Sequence, residues 1–241
     1  MPAKKTPVRN SVRVAEKSNG IDIYLKKIFT LMFGAVGVTA IITFITIYLG
    51  GINLLVSAGG MTPFFYVMLF GGLVLSLWAQ ARAFSMRPTF AAILLFIYAV
   101  MMGFAITPIV WGGLAVNPVS ILWAFIIAAI MFGCMATFGY KTVKDLSFLG
   151  IFLMMGMIGL ILVGIVAMIW TLGGVFSTIV CAIGVLVFAL FTAYDMQNLK
   201  NAYNVLGDDM QKDQLAVLGA LHLYISFIAL FQYVLGLLNR N

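Results

Sequence analysis

The sequence predicts an all-α integral membrane protein with seven transmembrane helices, and three observations support this fold class. Of the 241 residues, 63% are hydrophobic and only 9% are charged, which is unlike a soluble domain. The charges fall into clusters separated by four long uncharged runs. These runs lack the period-two alternation of lipid-facing strands in a membrane barrel. The chain is therefore expected to lie in a lipid bilayer.

The lengths of the four uncharged runs give the number of spans. The runs contain 54, 53, 49 and 26 residues, and a helix needs roughly 20 residues to cross a bilayer. Each of the first three runs therefore holds two helices joined by a short turn that contains glycine, and the last run holds one. The predicted spans are 28–49, 63–81, 89–111, 119–140, 149–172, 175–195 and 216–238.

The Lys and Arg residues predict the orientation of the spans. Seven precede the first span, the successive loops hold none, two, none, two, none and two, and one follows the last span. By the positive-inside rule the N-terminus is cytoplasmic and the C-terminus lies outside. Residues 1–24 are expected to form a basic, flexible cytoplasmic arm, and residues 25–241 the seven-helix domain. Nucleic acid binding is not expected, because the basic residues form no single stripe or reading motif.

No motif of a soluble enzyme is found in the sequence. It has no P-loop, no dinucleotide fingerprint, no nucleophile elbow and no His, Cys and carboxylate residues at metal-binding spacing. Cys134 and Cys181 each fall inside a predicted span, so no disulfide framework is expected. The protein is therefore not expected to be an enzyme, and neither a cofactor nor a confident metal site is predicted.

Asp195 is the only acidic residue placed within a predicted span. An ionised carboxylate in mid-span costs roughly 2.5–3.5 kcal/mol on insertion scales, so it needs a partner or a proton. Two candidate partners lie at a similar depth: Arg82, at the inner end of the second span, and His222, in the seventh. An ion pair with Arg82 would keep Asp195 ionised, and protonation would release Arg82. Three alternatives stay open: Asp195 caps a hydrated helix end, Arg82 extends into the headgroups, or His222 is a core histidine.

Three stretches of the chain resemble the transmembrane Bax inhibitor motif family in its bacterial form. They are "MFGCMATFGYKTVKDLSFLGIFLMMGMIGLI" (131–161), "IGVLVFALFTAYDMQNLK" (183–200) and "LGALHLYISFIALFQYVLGLL" (218–238). The resemblance implies a multi-pass protein of the bacterial inner membrane in which six helices surround a central seventh. It also implies a slow calcium leak that is tuned by pH. Two aspartates in that family share a proton and close the cytoplasmic side of the pathway.

By position, the first of these aspartates is Asp195, and Ser226 replaces the second. Ala229 stands where the family commonly has Asn. Two carboxylates in contact cannot both ionise cheaply, and with Ser226 that coupling is lost. Any pH response is therefore expected to shift to lower pH or to disappear, unless His222, one turn from Ser226, titrates near neutrality instead.

The resemblance implies two competing functions. The first is a cation leak channel for Ca²⁺, with a cytoplasmic gate formed by Asp195, Arg82 and His222. Since the spans offer few oxygen ligands, Asp195 would give only a weak cation contact. The second is a non-conducting regulator, for example a modulator of a membrane-anchored ATP-dependent protease, because Ser226 resembles that bacterial branch and the basic arm would contact the protease. A proton-coupled transporter is less favoured, because no inverted repeat of broken helices is found.

Overall fold

The computed structural model describes residues 7–169 and 174–239 of the chain, and it confirms the predicted all-α membrane fold. Within those ranges, seven helices are long and apolar enough to cross a membrane. The helices are α1 (Pro7–Tyr48), α2 (Pro63–Ala81), α3 (Pro88–Val116), α4 (Pro118–Lys141), α5 (Ser147–Ile169), α6 (Gly174–Val205) and α7 (Asp209–Leu238). We call the side that holds the α2–α3, α4–α5 and α6–α7 connections the inner side, and the opposite side the outer side.

Helices α2, α3 and α4 begin at Pro63, Pro88 and Pro118. Proline suits the first turn of a helix because it has no amide hydrogen that would be left unpaired. Thr62 and Asn117 precede two of these prolines, and each side chain accepts a hydrogen bond from a backbone amide of the first turn. The short connections can therefore end and restart helices without leaving polar backbone unsatisfied.

The outer connection between α1 and α2 contains a small hairpin that the sequence did not predict. A 3₁₀ turn at Gly51–Leu54 is followed by two antiparallel strands, β1 (Val56–Ser57) and β2 (Gly60–Met61). Gly60 has a φ of 120°, which only glycine adopts at low cost. Leu55 is fully buried and anchors this hairpin to the helices.

Helix α7 lies at the centre of the bundle, as expected for the seventh span. In its most apolar stretch 78% of the residues are buried, against 17% for α2 and α5. Four helices, α1, α3, α4 and α6, pack directly along α7, whereas α2 packs mainly on α3, and α5 on α6. The helices around α7 therefore bury some of its sides more than others.

A buried pair of hydroxyl groups connects α7 to α1 and α3. The side chains of Tyr224 and Thr39 are fully buried, and their oxygens are 2.6 Å apart. The Thr39 hydroxyl also lies 2.9 Å from the carbonyl oxygen of Ala99. Because Thr39 has a single hydroxyl proton, it donates to this carbonyl and accepts from Tyr224. Such bonds contribute about 0.6–2 kcal/mol in membrane proteins, and this one fixes the rotation of α7 against its neighbours.

Three helices extend beyond their predicted spans on the inner side. Helix α1 begins at Pro7, α6 ends at Val205 and α7 begins at Asp209, whereas the spans were predicted to start at 28, end at 195 and start at 216. The predictions stopped at charged residues, which limit a membrane span but do not end a helix. The backbone of residues 7–24 is therefore helical, and the mobility of the predicted arm stays a prediction.

The added turns pack against one another on the inner side. The rings of Tyr24 and Tyr203 are 4.8 Å apart between centroids. Gly20 permits this approach, because a Cβ at that position would collide with the Tyr203 hydroxyl. Lys27 of α1 forms an ion pair with Asp213 of α7 at 2.7 Å. These contacts join α1 to the α6–α7 hairpin on the inner side of the predicted spans.

We expect Gly139→Ala to destabilise the bundle, because Gly139 is where α4 approaches the backbone of α6. A Cβ at Gly139 would collide with the backbone carbonyl of Ala193, whereas a Cβ at Gly133 on the same helix meets open space. Overpacking costs about 1–3 kcal/mol, so the midpoint of thermal unfolding in detergent should fall by several degrees. Gly133→Ala is the matched control and should be neutral or stabilising, because Ala favours a helix by about 1 kcal/mol over Gly. Equal midpoints for the two variants would contradict this packing.

Candidate functional site

Asp195 lies on α6, about three turns before the helix ends at Val205. Its side chain is 13% exposed. Ala193 and Met196 beside it are buried in the core. Asp195 is therefore enclosed by protein, and the alternative that it caps a hydrated helix end does not fit the structure.

His222 of α7 is the ionisable group next to Asp195. Its Nδ1 atom lies 4.0 Å from Oδ1 of Asp195, which is too long for a hydrogen bond but close enough for strong electrostatic coupling. On the other side of the ring, Nε2 lies 3.0 Å from Oε1 of Gln80 on α2. With the amide oxygen facing the ring, Nε2–H donates to Gln80 and Nδ1 faces Asp195. The imidazole thus connects three helices.

Asp195 and His222 can hold one proton between them. After a small side-chain rotation, either the carboxyl group donates to Nδ1 or the protonated Nδ1 donates to the carboxylate. With two, one or no protons, the pair carries a net charge of +1, 0 or −1, and its protons titrate as a coupled system. A change of pH can therefore reverse the sign of the charge at this site.

Arg82 does not join Asp195, so the predicted ion pair is wrong. The ion pairs within the described part of the chain do not include one between Arg82 and Asp195, and the Arg82 side chain is exposed. Helix α2 ends at Ala81 and Arg82 is its C-cap. Two positions along a helix correspond to a rotation of about 200°, so Gln80 faces α7 where Arg82 cannot. The sequence signal that could have identified Gln80 is its spacing of four from the buried Ser76, which places two polar residues on one face.

Ser226 lies one turn outward from His222 on α7 and is buried, 3% exposed. The position that would hold a second carboxylate is therefore inside the protein, and here it carries a neutral hydroxyl. Among the residues that the structure describes, no group of three or more His, Cys, Asp or Glu side chains is arranged to hold a metal ion. The ionisable partner of Asp195 is accordingly His222.

The side of α7 that carries His222 is only partly covered. Helices α2 and α3 lie on one flank and α6 on the other, without extensive packing of α6 against either. The His222 side chain is 33% exposed as a result. We call this partly covered side of α7, where His222 meets Gln80 and Asp195, the inner crevice.

Two side chains of α6 hold the α4–α5 connection. The amide oxygen of Gln197 accepts a hydrogen bond from the backbone N–H of Leu146 at 2.8 Å, and its nitrogen donates to the carbonyl of Lys144 at 2.8 Å. One turn further, the Lys200 ammonium group donates to the carbonyl of Tyr140 at the C-terminal end of α4 at 2.7 Å. Neither residue was identified from the sequence, since their partners are backbone groups distant in the chain.

A glutamine of α7 holds the α2–α3 connection in the same way. The side-chain nitrogen of Gln214 donates to the carbonyl of Met86 at 2.7 Å and lies 3.3 Å from that of Phe84. Gln214 is buried. The inner end of α2 is thus attached to α7 at two points, through Gln214 and through the Gln80–His222 contact.

Comparisons with known proteins agree with the sequence resemblance. Residues 22–241 match the family model Bax1-I, described as inhibitor of apoptosis-promoting Bax1. An uncharacterized protein of Caulobacter vibrioides is 37% identical over 76% of this chain and 72% of its own length. The uncharacterized protein RP147 of Rickettsia prowazekii is 30% identical over 92% of this chain and 91% of its own. The inner membrane protein YbhL of Escherichia coli is 39% identical over 51% of this chain and 53% of its own.

We expect Gln197→Leu to loosen the α4–α5 connection, because the substitution removes both bonds that hold the backbone of Lys144 and Leu146. A buried amide left without its acceptor costs about 1–3 kcal/mol. Hydrogen exchange measured by mass spectrometry should therefore accelerate in the peptide that contains Leu146. Asn201→Leu, at an exposed position of α6, is the control and should leave this peptide unchanged. Unchanged exchange in the Gln197 variant would show that the side chain does not anchor the connection.

Proposed function

This chain belongs to the family described as inhibitor of apoptosis-promoting Bax1, and we propose that it is a pH-modulated calcium leak channel of the bacterial inner membrane. It is a multi-pass protein of that membrane, as its seven apolar helices and its inner-membrane relative indicate. In this proposal Asp195, His222 and Gln80 form a cytoplasmic gate. In this proposal the protein catalyses no reaction and uses no cofactor.

The observation that carries the proposal is the position of His222 between Asp195 and Gln80. One ring nitrogen faces the carboxylate of α6 and the other contacts the amide of α2. Histidine is the side chain whose charge normally changes between pH 5 and 8. A proton gained or lost at this ring therefore alters a contact between helices as well as the local charge.

The sign of the pH response follows from the charge of the pair. At acidic pH, Asp195 and His222 together carry up to one positive charge, which repels a cation, and the imidazolium donates to both neighbours and holds the three helices together. At alkaline pH the pair carries one negative charge, which attracts a cation. The gate is thus proposed to be closed in acid and to open as the pH rises.

Helix α2 is the element proposed to move. It packs mainly on α3 and is among the least buried of the helices. Its inner end meets α7 through Gln80, whose oxygen accepts a hydrogen bond from Nε2–H of His222. This bond is charge-assisted when the ring is an imidazolium and weaker when the ring is neutral. A two-state element of this kind is needed if a local proton is to change a pathway across the membrane.

The ligands available near the gate favour a slow leak over tight, selective binding. Ca²⁺ takes six to eight oxygen ligands. The inner crevice offers the Asp195 carboxylate and the Gln80 amide oxygen as side-chain ligands. Asp195 is therefore proposed as a weak contact for a passing cation.

We expect calcium flux into proteoliposomes to rise between pH 5 and 8, by up to about tenfold, the change that about 1.4 kcal/mol in a barrier produces. Asp195→Asn and His222→Ala should each flatten this profile, because each removes one member of the proton-sharing pair. Arg82→Ala is the control and should keep the wild-type profile, since Arg82 is exposed and away from Asp195. The same vesicles loaded with a monovalent-ion indicator would measure selectivity.

Three outcomes would contradict the proposal. Flux equal to that of empty vesicles at every pH would exclude a channel. Identical pH profiles for the wild type and His222→Ala would exclude His222 as the sensor. A flattened pH profile for Arg82→Ala, but not for the other two variants, would show that Arg82 and not His222 is the partner of Asp195.

One observation favours a second candidate, a non-conducting regulator. Helical backbone begins at Pro7, whereas the uncharged stretch of α1 begins at Ile28, so α1 extends past the membrane on the inner side. A cytoplasmic partner such as a membrane-anchored ATP-dependent protease would bind this extension. Deletion of residues 1–19 should leave flux unchanged if the protein is a leak channel. The same deletion should abolish co-purification of the protease if the protein is a regulator.

A further inference from the structure

An apolar groove lies on the side of α7 opposite the inner crevice. It contains a cavity of about 540 Å³ in the outer half of the molecule. Helices α1 and α4 form its two edges, and α3 and α7 form its floor. The floor includes Ile106, Phe227 and Phe231, and the groove extends outward to Tyr48 of α1 and Pro118 of α4. We call it the outer groove.

The outer groove opens toward lipid because α1 and α4 do not pack extensively against each other. Each of them packs on α7 and on α3, but they stand apart at the groove. Phe44 of α1 and Leu122 and Phe125 of α4, which line its edges, are exposed. In a membrane-spanning chain, side chains at this depth face hydrocarbon.

The chemistry of the groove excludes an aqueous route. Its polar side chains are Thr39 and Thr43, with Tyr48 at the outer end. Both threonine hydroxyls are bonded to backbone carbonyls, of Ala99 and Gly103 respectively. A cavity lined in this way stays free of water. It therefore needs an apolar occupant and is not an entrance for a hydrated ion.

The dimensions of the groove select a single hydrocarbon chain. Its α1 edge runs from Val36 to Tyr48, about 18 Å at the rise of a helix. One leaflet of hydrocarbon is about 15 Å deep, half of a bilayer core. An extended acyl chain matches this length, and it has a much smaller cross-section than a helix, which is about 10 Å across with its side chains.

We propose that the outer groove is a binding site for one acyl chain of a phospholipid of the outer leaflet. The chain lies along α7 between α1 and α4 and covers Phe227 and Phe231. A second apolar cavity, of about 350 Å³, continues along the same side of α7 in the inner half and shares Phe227 with the first. This site is independent of the proposed calcium leak, since it depends on packing and not on conduction.

Native mass spectrometry of the protein in detergent tests the site, with 1-palmitoyl-2-oleoyl-phosphatidylglycerol as the probe. Ala40→Trp should raise the concentration for half-maximal lipid binding by at least about tenfold, because Ala40 lines the groove and the indole would fill it. Ala182→Trp is the matched control. Both alanines are exposed, and both lie about two turns from the outer end of their helices, at Tyr48 and Gly174. The control should bind lipid like the wild type.

Each outcome decides the proposal. Saturable binding of one lipid to the wild type and to Ala182→Trp, with loss in Ala40→Trp, supports it. Equal lipid binding by the two variants overturns the proposal. The absence of bound lipid on the wild type also overturns it, and that measurement does not depend on the folding of a variant. A dimer that forms without lipid, and that Ala40→Trp dissociates, assigns the groove to a second copy of the chain and also overturns the proposal. If Ala40→Trp does not fold, Leu122→Trp tests the groove from its opposite edge.

Discussion

The uneven burial of α7 is the constraint on which the rest of the structure depends. Four helices pack directly on α7, while α2 and α5 lie further out. Four neighbours leave two sides of a helix partly open, and these two sides differ in chemistry. His222 faces the inner crevice and Phe231 lines the outer groove. The two residues are nine positions apart, a rotation of about 180°, so one helix presents an ionisable face and an apolar face in opposite directions.

The polar face is tolerated because its ionisable group faces polar partners on α2 and α6. Two unit charges 4 Å apart interact by up to about 4 kcal/mol at an effective dielectric constant of 20, against about 1 kcal/mol in water. The stabilisation of Asp195 by His222 at 4.0 Å therefore depends on keeping water limited. The extension of α6 to Val205 and of α7 from Asp209, together with the α2–α3 connection held by Gln214, places further protein on the inner side of the pair.

The sequence predicts the spans well and the contacts between them poorly, and the reason is physical. Lipid offers no hydrogen bonds, so long apolar runs must be helices, and the predicted span 63–81 coincides with α2. Lipid is as apolar as a core residue, however, so hydropathy does not show which helix is covered by protein. Asp195 and His222 were identified because they are ionisable. Gln80 was missed because it is neutral, and Arg82 was misplaced because the direction of a helix end cannot be read from charge.

The two attachments of α2 to α7 differ in their dependence on protons, and this difference limits how α2 can move. Gln214 donates an amide proton to backbone carbonyls of the α2–α3 connection, and neither partner titrates near neutral pH. Gln80 accepts from Nε2–H of His222, and this bond weakens when the ring loses its second proton, from Nδ1, in that range. Weakening of the second contact leaves the first in place. The inner end of α2 would therefore tilt about the connection that Gln214 holds, and it would widen the crevice next to Asp195 without detaching α2 from the bundle.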